Sequence, residues 1–152
     1  MNIYTSYFFK VRFFTPNQIP LSTAMWDPKW YHDNRDQETL FFDKRGVING
    51  LRVPFFAPDA TCNGLCRGAK ACIQDPADCM FLQAYRAQLA RLSFKGVMSS
   101  LQSIASWAVY KGLVKDGPEL VLLVHEATNN PCSERVPIQE WFQNYGVTVK
   151  EL

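Results

Sequence analysis

Four of the five cysteines in this chain of 152 residues, Cys62, Cys66, Cys72 and Cys79, fall within the nineteen positions TCNGLCRGAKACIQDPADC. Their spacing is C-x3-C-x5-C-x6-C. Four thiolates complete a tetrahedral zinc shell, and Gly64 and Gly68 would let the intervening backbone wrap closely around an ion. The spacing therefore predicts a structural zinc site on Cys62, Cys66, Cys72 and Cys79, with every ligand supplied by protein and no open position for chemistry on the metal. An iron–sulfur cluster also takes four cysteines, but the close C-x2-C pairs common in such sites are missing, which makes it the less favoured cofactor. The third reading is a set of unliganded thiols, since free cysteine is among the most buried residue types.

The second group with chemical potential is HEATNNPCSER, residues 125–135. It follows the apolar run ELVLLV and precedes a segment with helical spacing. In an open parallel sheet, ligands bind beyond the carboxyl ends of the strands, and His125 and Glu126 would stand at such an end. Cys132 and Ser133 come just before a helix whose free amides favour an anion or a thiolate. Arg135 in its first turn could clamp a carboxylate or phosphate. By the same rule Thr5, Ser6 and Tyr7, closing a first strand, and Ser22, closing a second, would face the same crevice. Glu126 and Cys132 are the candidate reactive groups. Each has a plainer reading as well: His125 bonded to backbone, Glu126 paired with Arg135 at the surface, Cys132 merely packed.

The elements that would position these residues alternate between strand and helix. NIYTSYFF, rich in aromatic and β-branched residues, reads as a strand, and IPLST as a shorter second one. Residues 25–77 carry prolines, glycines and many aromatics without a helical period, and read as one long irregular excursion that contains the cysteines. Phe81, Leu82, Tyr85, Leu89 and Leu92 then fall at helical spacing, with Asp78 as the expected cap. A second helix is expected from Phe94, Val97, Met98, Leu101, Ile104, Ala105 and Ala108. ELVLLV, apolar without interruption, reads as a central strand buried on both faces. A helix follows, with Ile138, Trp141, Phe142 and Tyr145 on one side, Ser133 as cap, Pro137 tolerated in the first turn and Gly146 as its stop. VTVKEL closes the chain as a strand. The expected fold is a single α/β domain over residues 1–152, a mostly parallel open sheet flanked by helices, with the excursion pinned by metal.

Composition limits the function classes. At 47% hydrophobic and 14% aromatic the chain is globular, and no apolar run is long enough to cross a bilayer. The first residues lack the pattern of a signal peptide, so the expected address is the cytoplasm, of a bacterial or phage-infected cell, where structural disulfides are rare. A net charge of +2 does not advertise general polyanion binding, although Lys44, Arg45, Arg52, Arg67 and Lys70 give the middle of the chain a basic bias. The phosphatase C-x5-R loop, the P-loop, G-x-G-x-x-G, H-E-x-x-H and G-x-S-x-G are all absent from the sequence.

IYTSYF with Lys10, then PLS, CNGLC, CMFLQAYRAQL and LVLLVHEATNNPCSERVPIQEWF together resemble the small proteins grouped as domain of unknown function 488, most of all its bacterial and phage branch. The resemblance spans nearly the full chain. It implies an α/β domain and no established reaction. The late motif of that family, an acidic residue after the strand and then Cys-His-Arg at the helix, is matched here by Glu126 and Cys132. CSER replaces Cys-His-Arg, which removes the histidine and displaces Arg135 by one position.

Two functions from different classes follow. One is a binding or enzymatic domain for a nucleotide-like or phosphorylated small molecule, held by Ser6, Tyr7, Ser22, His125, Glu126, Ser133 and Arg135. The other is a non-enzymatic interaction protein whose aromatic excursion, with Trp26, Trp30, Tyr31, Phe41, Phe42, Phe55 and Phe56, meets a host protein or nucleic acid. Core packing is the plainer role for these aromatics, above all for Phe55 and Phe56.

Overall fold

The computed structural model describes residues 1–31, 41–66, 72, 75–115 and 117–152. Four parallel strands form its main sheet: β1 (Asn2–Tyr7), β2 (Gln18–Ser22), β5 (Glu119–Val124) and β6 (Lys150–Glu151), in the order β2-β5-β1-β6. Ile3 stands opposite Leu120, and Ile19 opposite the same residue from the other side. β5 is thus central, as its unbroken apolar run requires, because both of its faces are covered.

Alternation along β5 divides the core. Leu120, Leu122 and Val124 face the α-helices, joined by Ile3, Ile19 and Leu21, while Val121 and Leu123 face the opposite way. On the helical side lie α2 (Met80–Ala90), α3 (Phe94–Tyr110) and α4 (Arg135–Gln143), contributing Leu82, Tyr85, Leu89, Leu101, Ala105, Ile138 and Phe142. Ser93 caps α3 by accepting from the Gly96 amide at 3.1 Å. Gly146, at φ +77°, supplies the left-handed turn that follows α4, its amide bonded to the Gln143 carbonyl at 2.9 Å.

Among the described residues the other face is not covered by α-helices. A 3-10 helix, Phe8–Phe13, places Phe8 and Val11 there, with Phe14, Tyr31 and Val47 beside them. Phe8 and Phe9, expected to extend the first strand, belong to this turn instead, because the chain must curl back at once to reach β2 on the far side of β5.

The excursion over residues 25–77 contains short elements of its own: the antiparallel pair β3 (Phe41–Phe42) and β4 (Ile48–Asn49), a 3-10 turn at Pro54–Phe56 and α1 (Ala60–Gly64). It returns to the sheet, since the Ser22 amide donates to the Leu51 carbonyl and the Val53 amide to the Ser22 carbonyl, both at 2.9 Å. Arg67, Gly68 and Lys70 lie outside the described residues. Tyr31 corrects the expectation of an exposed aromatic: it is 2% exposed, and its single hydroxyl proton is shared between the carbonyls of Pro20 at 3.0 Å and Leu51 at 2.6 Å. Phe56 is fully buried against Trp141 and Phe142. A second correction concerns the cap of α2: Cys79 occupies that position without a side-chain bond, and Asp78 stands exposed before it.

Candidate functional site

At the carboxyl end of β5 the chain leaves the sheet at Val124 and returns at Arg135, where α4 starts. This loop turns so that Glu126 and Glu134, eight positions apart, meet. The Ser133 hydroxyl donates to Glu126 Oε2 at 3.4 Å and accepts from the Arg135 amide at 3.3 Å. Burial, followed by hydrogen bonding with the adjacent Glu126 carboxyl and its charge, pushes Glu134 up to about 9. Two adjacent carboxyl groups cannot both ionise cheaply, so the pair holds one proton at neutral pH. Glu134 Oε2 is buried without a hydrogen-bond partner among the described residues. Tyr85 lies on the inner side, fully buried, its phenol donating to the Phe56 carbonyl and its ionisation suppressed by burial and by Glu134.

Arg135 turns inward rather than toward the loop mouth. Its Nη1 donates to the Ala127 carbonyl at 3.0 Å, Nη2 to the Thr128 carbonyl at 2.6 Å, and Nε lies 3.7 Å from Glu151 Oε2. It therefore staples the β5–α4 loop to the last strand. Glu151 Oε2 also accepts from Thr5 Oγ1 at 2.7 Å, and Thr5 accepts from Gln139 Nε2 at 2.6 Å. Burial raises the Glu151 carboxyl, against the lowering influence of Thr5, Arg135 and Lys10.

The remaining expected residues fall into separate groups. Ser22 donates to the Asp27 carboxylate and accepts from the Ala24 amide at 3.2 Å. Asp27 pairs with Arg52 Nε at 3.4 Å, while Arg52 Nη2 donates to the Ala24 carbonyl at 2.7 Å. His125 is exposed, its Nε2 bonded to the Trp26 carbonyl and its ring 4.9 Å from Phe8. Ser6, on β1, donates to the Leu152 carbonyl at 3.3 Å, and half-buried Tyr7 stacks beside Phe9 at 6.4 Å. Of the expected set, Glu126 and Ser133 are brought together. Glu134, Asp27 and Arg52 complete these groups and carry no sequence signal of their own: each reads as an ordinary solvated charge.

Cys62 is buried in α1, its thiol 3.4 Å from Gln88 Oε1 and its amide donating to the Asp59 cap at 2.9 Å. Among the described residues no group of three or more His, Cys, Asp or Glu stands where it could hold a metal ion. The thiol beside Cys72 and Cys79 is that of Cys132, pushed up to about 11 by burial and by those two sulfurs. Among the described residues, too, no helix is long and apolar enough to cross a membrane.

On the opposite face a groove of about 300 Å³ is lined by Phe8, Phe9, Arg12, Trp30, Arg45 and Asn49. Comparison with protein-family models, curated proteins and solved structures finds no match.

Proposed function

We propose that this chain is an α/β protein for a small polar ligand, with its site at the carboxyl end of β5 and the Glu126–Glu134 pair as a proton donor and acceptor. The observation that carries the reading is the meeting of two carboxyl groups, with burial holding the proton on one of them, at the edge where open parallel sheets take ligands. Its ligand class is a nucleotide-like or phosphorylated small molecule, recognised at the pair through hydroxyl or amino groups. A phosphate would sit away from the pair's negative charge, since Arg135 is committed to Ala127, Thr128 and Glu151. Ser133 orients Glu126, and the protonated Glu134 can donate where Glu126 accepts. The likeness to the domain of unknown function 488 family rests on the sequence motifs alone.

The test is a thermal-shift screen with nucleosides, nucleotides and sugar phosphates, because a ligand that binds only the folded state raises the melting temperature by mass action. A shift produced by a member of the panel and lost in Glu126→Gln supports the site. No shift across the panel, or one that survives Glu126→Gln, overturns it.

A second reading is a surface for a protein or nucleic acid. Trp26 and Trp30 are 71% and 47% exposed, and the Arg12 guanidinium lies 3.7 Å over the Phe9 ring beside the groove. Exposed aromatics interleaved with arginine suit stacked bases or an apolar protein anchor. Salt-sensitive binding of single-stranded oligonucleotides that fails in Trp30→Ala would favour this reading.

A further inference from the structure

The 3-10 helix over Phe8–Phe13 buries Phe8 and Val11 and leaves Phe9, Arg12 and Phe13 in solvent. In such a helix side chains three residues apart stand over one another, and the Arg12 guanidinium accordingly lies 3.7 Å over the Phe9 ring. Arg12 Nε donates to the Phe9 carbonyl at 3.1 Å, which holds the cation on the ring. Among the described residues Arg12 has no carboxylate partner. Rings continue on both sides, Tyr7 stacked at 6.4 Å from Phe9 and Phe13 at 6.3 Å. Trp30 lines the same groove of about 300 Å³. It is fixed edge-on to Phe8 at 6.1 Å and to Tyr31 at 5.9 Å, and its carbonyl accepts from Asn49 Nδ2 at 3.1 Å. Arg45, by contrast, is spent inside the fold: Nη1 donates to the Arg12 and Phe14 carbonyls, Nη2 to the Val11 carbonyl at 2.7 Å and Nε to Asp43 at 3.0 Å. Asp43, the acid of the groove, is thereby neutralised, and Lys44 stands exposed at the adjoining turn.

We propose that this groove holds single-stranded nucleic acid, with bases stacked on Phe9, Phe13 and Trp30 and a phosphate on Arg12. The inference narrows the surface reading above to one partner and rests on it, and it is independent of the Glu126–Glu134 pair. Charge decides between the partners. An apolar protein anchor covering these rings would strip water from the Arg12 cation without supplying a counter-charge, which is costly. A strand brings both parts at once, a flat ring for each aromatic platform and a phosphate for the cation. Because every base has a π-face, the groove distinguishes unpaired from paired bases rather than one sequence from another. In a duplex those faces are already covered by neighbouring base pairs.

The test is fluorescence anisotropy of the full chain with labelled oligothymidylate and oligouridylate of about 12 nucleotides, and with a duplex of the same length, over a series of salt concentrations. The expected result is that one or both single strands bind more tightly than the duplex, the two arms telling DNA from RNA. Phosphate contacts by Arg12 and Lys44 give a slope of log affinity against log salt of about −1.4, at about 0.7 for each contact. Arg12→Ala reduces that magnitude by about 0.7, whereas Arg12→Lys keeps the slope and weakens binding, since an ammonium does not stack as a guanidinium does. Phe13→Ala and Trp30→Ala each weaken binding by about fivefold or more at an unchanged slope. Arg12 and Phe13 are exposed, so their variants keep the fold, which far-ultraviolet circular dichroism checks. Glu126→Gln leaves the affinity unchanged. No single strand bound at low salt, a duplex bound as tightly as the strands, or full binding retained by both Phe13→Ala and Trp30→Ala would each overturn the assignment. So would binding lost in Glu126→Gln, which would put the strand at the end of β5. The first of these outcomes leaves the broader surface reading standing on a protein partner, so the two failures are told apart.

Discussion

Glu134→Gln should flatten the pH dependence of folding stability. In the folded chain, burial and the Glu126 carboxyl hold the Glu134 proton up to about 9, whereas the unfolded group releases it near 4.5. Between those values the native state binds more protons than the unfolded state, so stability falls as pH rises. The contribution is complete below the unfolded value and is lost through the folded one. One proton's difference sets the slope at up to about 1.4 kcal/mol per pH unit, or somewhat under 3 kcal/mol between about pH 5.5 and 7.5. Urea denaturation followed by tryptophan fluorescence at several pH values in that range measures it. Glu151, also raised by burial, tilts the wild type and the variant in the same direction and cancels in their difference. The neutral amide introduced by the substitution keeps the side-chain volume and removes the titration. Curves for the two proteins that run parallel across the range would refute the shared-proton pair.

Arg135→Ala should destabilise the fold by about 2–4 kcal/mol, because it leaves the Ala127 and Thr128 carbonyls and the Glu151 carboxylate without their buried partner, and chemical denaturation reads the loss. Arg135→Lys should recover only part of it, since an ammonium cannot span the two carbonyls and the carboxylate as the guanidinium does. Tyr31→Phe should cost about 1–2 kcal/mol by removing the one donor that the Pro20 and Leu51 carbonyls share, with little change in packing. Leu122→Ala, at the centre of the sheet, should cost about 2–5 kcal/mol by opening a cavity between β5 and the helices.

The sequence by itself determined the elements whose residues report their own surroundings. ELVLLV could only be a strand covered on both faces, and β5 is central; the 3.6-residue spacing of Phe81, Leu82, Tyr85 and Leu89 could only be a helix with one buried side, and α2 presents that side to the sheet. Glu126 and Ser133 were legible as candidates at one strand end, where parallel sheets take ligands, and they do meet there. Tertiary structure decided what depends on partners distant in the chain. Tyr31 is core and Trp30 is surface although they are neighbours of similar chemistry, because only Tyr31 reaches the carbonyls of Pro20 and Leu51. Arg135 is a staple rather than a clamp because Glu151 and the loop carbonyls lie on its inner side. Glu134 reads in sequence as a solvated acid before a helix, and packing beside Tyr85 and Glu126 turns it into a buried proton holder. Cysteine spacing groups Cys62, Cys66, Cys72 and Cys79, yet it is the packing of α2 on α4 that brings Cys132 and Cys79 to one core, a relation between segments too far apart in the chain for any local pattern to encode.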